Sequence, residues 1–349
     1  VVAVTGGPPA DHLPTAEDVG WLPVEELSAV GAARRAATGL AERLAFTPTR
    51  VAEVALVVTE LATNLAKHAD QGVLLLRALR TAEHAEVEVA SVDRGPGIAD
   101  PALAFLDGHS TAGTLGIGLG AVARMSDTYA IRSTVGRGTI LTARFGPRDL
   151  RHPARIEPAV AAGVTRPMGG EEICGDAYAI RRQGKRLLLM LCDGSGHGPL
   201  AASASQAAVR TFLDIDWTTP EDAVRLLHGG MSGTRGGAVA VAELDPVAAL
   251  VRYAGVGNIS GAVVTDRKRG MVSLPGIAGY QARTIRRFDY ELPEDAVVVL
   301  HSDGLNERWT TDPLDRWSAD PLVVALDLLR EAGGRRDDAS VVVAKASAR

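Results

Sequence analysis

The sequence predicts an α+β protein built from two domains in series, and three observations carry that prediction. Residues 27–68 place apolar side chains at helical spacing and are followed by four strand-like runs ending at Phe145. The stretch 146–155 is polar, proline-punctuated and without apolar periodicity, as a junction should be. Beyond it, many short strands separated by turn signals, with two helices near the start and one near the end, suggest a β-sandwich with helices outside. The expected bounds are a lead at 1–20, a first domain at 21–146, a linker at 147–155 and a second domain at 156–349.

Bulk properties narrow the function. With 37 basic against 42 acidic residues, the net charge of -5 argues against a nucleic-acid groove and offers no basic patch to a membrane. No apolar run approaches the roughly 20 residues needed to cross a bilayer. The first residues lack a basic region and a long apolar core, so no signal peptide is expected. Cys174 and Cys192 form no disulfide framework, which makes a reducing cytoplasm the expected location.

In the first domain, Leu27, Val30, Ala37, Leu40 and Leu44 predict one amphipathic helix. Thr47 and Pro48 supply an N-cap and a first-turn proline for a second, reaching His68. Its apolar face carries Val51, Val54, Val58, Leu61 and Leu65, while Glu53, Glu60, Asn64 and Lys67 share the opposite face. A polar stripe of this kind is ordinarily just solvated; the residues downstream give this one another use. Strands at Val73–Leu79 and Glu86–Val92 end in Asp-Arg-Gly-Pro-Gly-Ile, 93–98. A glycine cluster at 113–120 then opens a helix, and strands at Tyr129–Ser133 and Thr139–Phe145 follow. A carboxylate at a strand end before a glycine turn, and a second glycine cluster at a helix N-terminus, make a nucleotide pocket together with Glu60 and Asn64.

These motifs resemble the GHKL (Bergerat) ATPases and kinases. Residues 59–69 are similar to their N box, 93–97 to their D-x-G-x-G box, and 113–120 to their second glycine box with a short lid. Residues 21–145 resemble most the RsbT/RsbW-type switch kinases of bacterial partner switching. The resemblance implies an α/β sandwich that binds ATP with magnesium. Asn64 would help hold magnesium, Asp93 would accept from the adenine amine, and Gly95 and Gly97 would shape the base pocket. Gly116, Gly118 and Gly120 would face the phosphates, Lys67 would neutralise them, and Thr139 would sit near adenine. Glu60 would be the general base toward a serine hydroxyl.

In the second domain, Asp176 precedes the run 177–180 and Asp193 follows the run 187–191, with polar 181–186 turning between. Pairing the two runs as a hairpin brings both carboxylates to one edge, an arrangement that a divalent cation stabilises. Gly194, Gly196 and Gly198 follow, then an Ala- and Ser-rich helix, Pro199–Phe212, and a shorter one around Ala223–Leu227. Strands are expected at Ala238–Leu244, Ala249–Ala254, Ser260–Val264, Met271–Leu274, Thr284–Phe288 and Ala296–His301, and a helix at Pro321–Glu331. Asp303 ends one strand and Asp337 and Asp338 immediately precede the last.

Gly-Asp, Asp-Gly, Ser-Asp-Gly and Asp-Asp-Ala-Ser, in that order, resemble the protein phosphatase 2C superfamily in its SpoIIE/RsbX-type branch, over residues 155–347. The resemblance implies two manganese or magnesium ions bridged by Asp193, with the Gly194 carbonyl, Asp176, Asp303 and Asp337 completing the ligands. Metal-activated water would attack phosphorus with no protein nucleophile, so Asp193 is also the catalytic residue of this half. His197 is either a proton donor to the leaving serine or a rim residue. Both resemblances point to phosphoserine or phosphothreonine switches: a STAS-type anti-sigma-factor antagonist or stressosome protein as substrate, with a sigma factor as an alternative partner and a homodimer left open. The alternative reading makes the ATP half a nucleotide sensor or binding module only.

Overall fold

The computed structural model describes residues 13, 15–80, 84–105, 118–147, 160–334 and 336–346. These form two compact units, one of residues 16–159 with 318–330, the other of 1–15, 160–317 and 331–349. The expected linker lies almost wholly outside the described residues.

The N-terminal unit runs β1 (Thr15–Pro23), α1 (Leu27–Arg43), α2 (Pro48–His68), β2 (Val73–Arg80), β3 (Ala85–Val92), α3 (Pro101–Ala104), α4 (Gly118–Met125), β4 (Thr128–Thr134) and β5 (Gly138–Phe145). β1 corrects the expected lead: its residues join the sheet, whose order is β1-β2-β3-β5-β4. α2 starts as its sequence requires, with Thr47 Oγ1 accepting from the Arg50 N–H at 3.3 Å and Pro48 in the first turn. Its buried stripe, Val54, Val57, Val58, Leu61 and Leu65, packs with α1 and one sheet face around Leu74, Leu76, Val87, Val89, Leu141 and Phe145.

Away from the strand ends the other residues of β2 and β3 are buried too, and Arg77, Glu86 and Glu88 among them are charged. Arg77 donates to Asp18 at 2.5 Å and to Glu88 at 3.0 Å, and Arg144 donates to Glu88 at 2.8 Å. Burial alone would raise the Glu88 pKa, but Arg144 and then Arg77 outweigh it and hold the carboxylate low. Arg50, 1% exposed, closes the unit's base: it donates to the carbonyls of Met125 (2.7 Å) and Gly146 (2.9 Å) and pairs with Glu53 and Asp127.

The second unit contains β6 (Ala161–Arg166), β7 (Asp176–Gln183), β8 (Arg186–Gly194), α5 (Gly198–Asp214), α6 (Pro220–Gly230), β9 (Gly237–Asp245), β10 (Leu250–Val256), β11 (Ser260–Val264), β12 (Lys268–Met271), β13 (Phe288–Glu291), β14 (Val297–His301) and β15 (Ala339–Lys345). α7 (Pro321–Ala332) lies between β14 and β15 in sequence. Two five-stranded sheets, β13-β10-β9-β8-β7 and β12-β11-β14-β15-β6, make the expected sandwich. Because side chains alternate along a strand, β8 feeds two cores: Leu187, Leu189 and Leu191 face Val263, Val298, Leu300 and Val342 between the sheets, whereas Leu188, Met190 and Cys192 pack with Ala204, Ala208, Phe212 and Val224 of α5 and α6.

Three expectations are corrected here. The strands read at Met271–Leu274 and Thr284–Phe288 form instead at Lys268–Met271 and Phe288–Glu291. β6 was not expected. Most of α7, read as a helix of the second domain, groups with the N-terminal unit. There Asp327 pairs with Arg132 at 3.4 Å and with Arg330 at 2.5 Å, and Arg94 donates to the Arg330 carbonyl.

Candidate nucleotide and metal sites

Asp93 follows directly on β3, where its backbone still pairs with β5: its N–H donates to Thr139 O at 3.0 Å. Its side chain turns back on the chain. Oδ1 accepts from the N–H of Gly95 at 2.7 Å and of Thr139 at 3.2 Å, and Oδ2 accepts from no group among the described residues. Burial raises the Asp93 pKa, against the two backbone N–H bonds and the Arg330 charge. Arg330 also donates from Nη1 to the Asp93 carbonyl at 2.9 Å.

The glycines around Asp93 are sterically required. A β-carbon at Gly138 (φ +92°) would lie 2.2 Å from the Asp93 carbonyl oxygen, and one at Gly97 (φ +73°) would lie 2.3 Å from that of Thr134. One at Gly95 would meet the His68 carbonyl at 2.9 Å, so the turn folds against the end of α2. Asp93, Gly95, Gly97 and Thr139 are thus one cluster. Glu60 and Asn64 are half-buried on α2, and a β-carbon at Gly118, the first residue of α4, would lie 4.0 Å from Glu60 Oε1. Gly120 is buried and Lys67 is exposed in the last turn of α2. Gly116 lies outside the described residues.

In the other unit, β7 and β8 pair antiparallel with Asp176 opposite Asp193. Asp193, Asp303 and Asp337 line one open cleft of about 480 Å³ with Ser195, Gly196 and Asn258. Asp176 sits deeper, 4% exposed, and accepts from Ser340 Oγ at 2.7 Å. Burial first, then the charges of Asp338 and Asp303, push its pKa up to about 7. Asp193 is pushed further, to about 9, by burial and then by Asp176, Asp303, Asp337 and Asp338. Asp303 accepts from Asn258 Nδ2 at 2.6 Å, and burial, then the Asp337 charge, raise its pKa as well.

Comparison with known proteins finds matches to two stretches of the chain. Residues 24–145 match the model of the histidine kinase-like ATPase domain. Serine/threonine-protein kinase RsbT of Bacillus subtilis (strain 168) is 32% identical over 112 residues, covering 32% of this chain and 84% of RsbT. The chain belongs to the RsbT family of histidine kinase-like ATPases. To that ATPase domain it joins a second one, since residues 183–347 match the Stage II sporulation protein E (SpoIIE) model. Phosphoserine phosphatase RsbX of the same organism is 25% identical over 142 residues, 39% of this chain and 70% of RsbX. A crystal structure of RsbX in complex with magnesium is similar at 18% identity, with a TM-score of 0.47, over 52% of this chain and 92% of that one.

The SpoIIE domain's donors fit hard divalent cations. They are oxygens, and their mutual repulsion in a partly buried cleft is what a dication relieves. Among the described residues no three His, Cys, Asp or Glu side chains already close on a single point, so the carboxylates line a cleft rather than a finished cage. The two neighbouring acids before β15 diverge. Asp337 lines the cleft, whereas Asp338 is 3% exposed and accepts from the N–H groups of Met168 and Gly175, both at 2.8 Å. Gly194 is buried, and a β-carbon there would lie 2.2 Å from Ala201 O. His197 caps α5 without a side-chain cap bond, and its Nδ1 lies 3.1 Å from Glu171 Oε1 at the exposed rim.

The ATPase domain fits adenine on one count: two backbone donors hold Asp93 Oδ1, which leaves Oδ2 open. Sequence reasoning missed Arg330, Asn258, and the hydroxyls of Ser302 and Ser340 behind Asp176. Ser340 belongs to the Asp-Asp-Ala-Ser run and could have been found from it. Arg330 carried no such signal, because its role depends on where α7 docks.

Proposed function

We propose that this chain is a partner-switching regulator whose SpoIIE domain hydrolyses phosphoserine or phosphothreonine on a STAS-type protein, and whose ATPase domain binds ATP with magnesium and acts as a serine kinase. The observation that carries the phosphatase half is that Asp193, Asp303 and Asp337, from three separate chain segments, line one cleft, with Asp176 opposite Asp193 on the paired strand. Two bound dications, magnesium or manganese, supply Lewis acidity toward a phosphoryl group and make water nucleophilic near neutral pH. Asp193, Asp176, Asp303, Asp337 and the Gly194 carbonyl would hold them.

The protein's own part is positioning. The Ser302 and Ser340 hydroxyls orient Asp176, Asn258 orients Asp303, and Asp338 pins the 168–175 segment beside the cleft. In the ATPase domain, Asp93 would select adenine, Asn64 would hold magnesium, and Glu60 would take the proton from the incoming serine hydroxyl. Binding alone needs Asp93 and Asn64 but no base, so Glu60 favours transfer over mere sensing. Manganese-dependent phosphate release from a phosphoserine STAS protein should vanish in Asp193→Asn, and transfer from labelled ATP should vanish in Glu60→Gln. Retained release in the first variant refutes the metal site; nucleotide binding without transfer in the wild type leaves a sensor.

A further inference from the structure

The mechanism above makes no use of Arg235, which precedes β9 at the cleft's edge. Its guanidinium lies beside Gly196, where a β-carbon would come within 3.3 Å of Nη1, and Gly196 lines the cleft with Asp193, Asp303 and Asp337. Arg235 is exposed, so its guanidinium can reach whatever enters this cleft. Among the described residues it forms no hydrogen bond and no ion pair.

Its backbone, by contrast, is fixed on both sides. Thr234 Oγ1 accepts from the Gly236 N–H at 3.0 Å, Gly236 O accepts from the Ser195 N–H at 2.9 Å, and the Gly237 N–H donates to Ala278 O at 3.0 Å. Gly236 has φ +69°, and a β-carbon there would lie 2.3 Å from Ala278 O, so the strand entry is locked against the wall that carries Ala278. A positioned main chain carrying an unpaired guanidinium at an anion-processing cleft is the arrangement expected for a guest anion. The planar fork of arginine matches two oxygens of a phosphate, which a lysine ammonium does not.

We propose that Arg235 binds the phosphoryl oxygens of the substrate, holding a phosphate monoester over the carboxylate cleft. This rests on the phosphatase reading but can fail separately from it. In the full chain loaded with manganese, inorganic phosphate is titrated by calorimetry and a phosphoserine peptide is assayed for hydrolysis. The wild type, Arg235→Ala and Arg235→Lys are compared, with manganese affinity measured for each.

Loss of a charge-assisted contact predicts that Arg235→Ala weakens phosphate binding and raises the peptide KM by about ten- to hundredfold, with a smaller fall in kcat. Arg235→Lys recovers part of the loss, and manganese affinity stays unchanged in both. Phosphate affinity within about twofold of wild type in Arg235→Ala, with manganese bound, overturns the assignment; so does a wild type that binds no phosphate. Arginine-dependent phosphate binding in a wild type that hydrolyses nothing supports the assignment and removes the hydrolase reading instead.

Discussion

Asp193 makes a stability prediction whose sign is unusual for an aspartate. Its folded pKa of about 9 stands far above the ordinary 3.8, so without metal the folded chain keeps a proton that the unfolded chain has lost. A group raised in this way contributes its full stability below the unfolded pKa, and that contribution is lost as pH rises through the folded pKa. One retained proton is worth about 1.4 kcal/mol per pH unit, so between pH 5 and 7 Asp193 alone costs the metal-free unit about 3 kcal/mol. For a unit of this size that is a fall in Tm of roughly 6–12 °C. Asp176, with a pKa of about 7, adds to the same trend and is present in both proteins compared. Calorimetric melts in a chelator at pH 5, 6 and 7 should therefore show a steeper decline for the wild type than for Asp193→Asn. Saturating manganese should flatten the wild-type slope and leave the variant unmoved; at a hundredfold over Kd it adds about 2.7 kcal/mol to the wild type. Parallel slopes without metal would refute the account of Asp193.

Other perturbations separate the parts. Asp93→Asn should weaken nucleotide binding at least tenfold, read by displacement of a fluorescent ATP analogue, while phosphatase activity persists. Gly138→Ala forces a β-carbon into the Asp93 carbonyl at a positive φ, so it should destabilise the ATPase domain by about 1–3 kcal/mol and reduce nucleotide affinity, checked by melting and the same displacement. Arg50→Ala removes the buried guanidinium that donates to the Met125 and Gly146 carbonyls and pairs with Glu53 and Asp127, and should cost about 3–5 kcal/mol in urea unfolding of the same domain. Arg330→Ala should lower the melting temperature of the ATPase domain and weaken its nucleotide affinity together, because it removes the donor to the Asp93 carbonyl.

Both halves of the fold were legible where periodicity and turns were strong. α1, α2 and the β7–β8 hairpin follow from helical spacing, from Thr47 and Pro48, and from two apolar runs around a polar turn. The strands missed or displaced, β1, β6, β12 and β13, are all at sheet edges. An edge strand pairs on one side, so its sequence carries less apolar alternation and more charge, as in β12, Lys-Arg-Gly-Met. The carboxylates of the cleft could be listed from the sequence because each sits at a strand end. How they share hydroxyl and amide partners could not, since Ser302, Ser340 and Asn258 are ordinary turn and strand residues until the sheets close. The docking of α7 was also hidden: its apolar stripe calls for burial but does not say against what.

The most direct measurement is anomalous diffraction from crystals of the full chain grown with manganese. Two peaks bridged by Asp193, with Asp176, Asp303 and Asp337 around them, are predicted, and both should disappear in Asp193→Asn crystals. Manganese bound elsewhere, or bound there unchanged in the variant, would contradict the dinuclear centre on which the phosphatase reading stands.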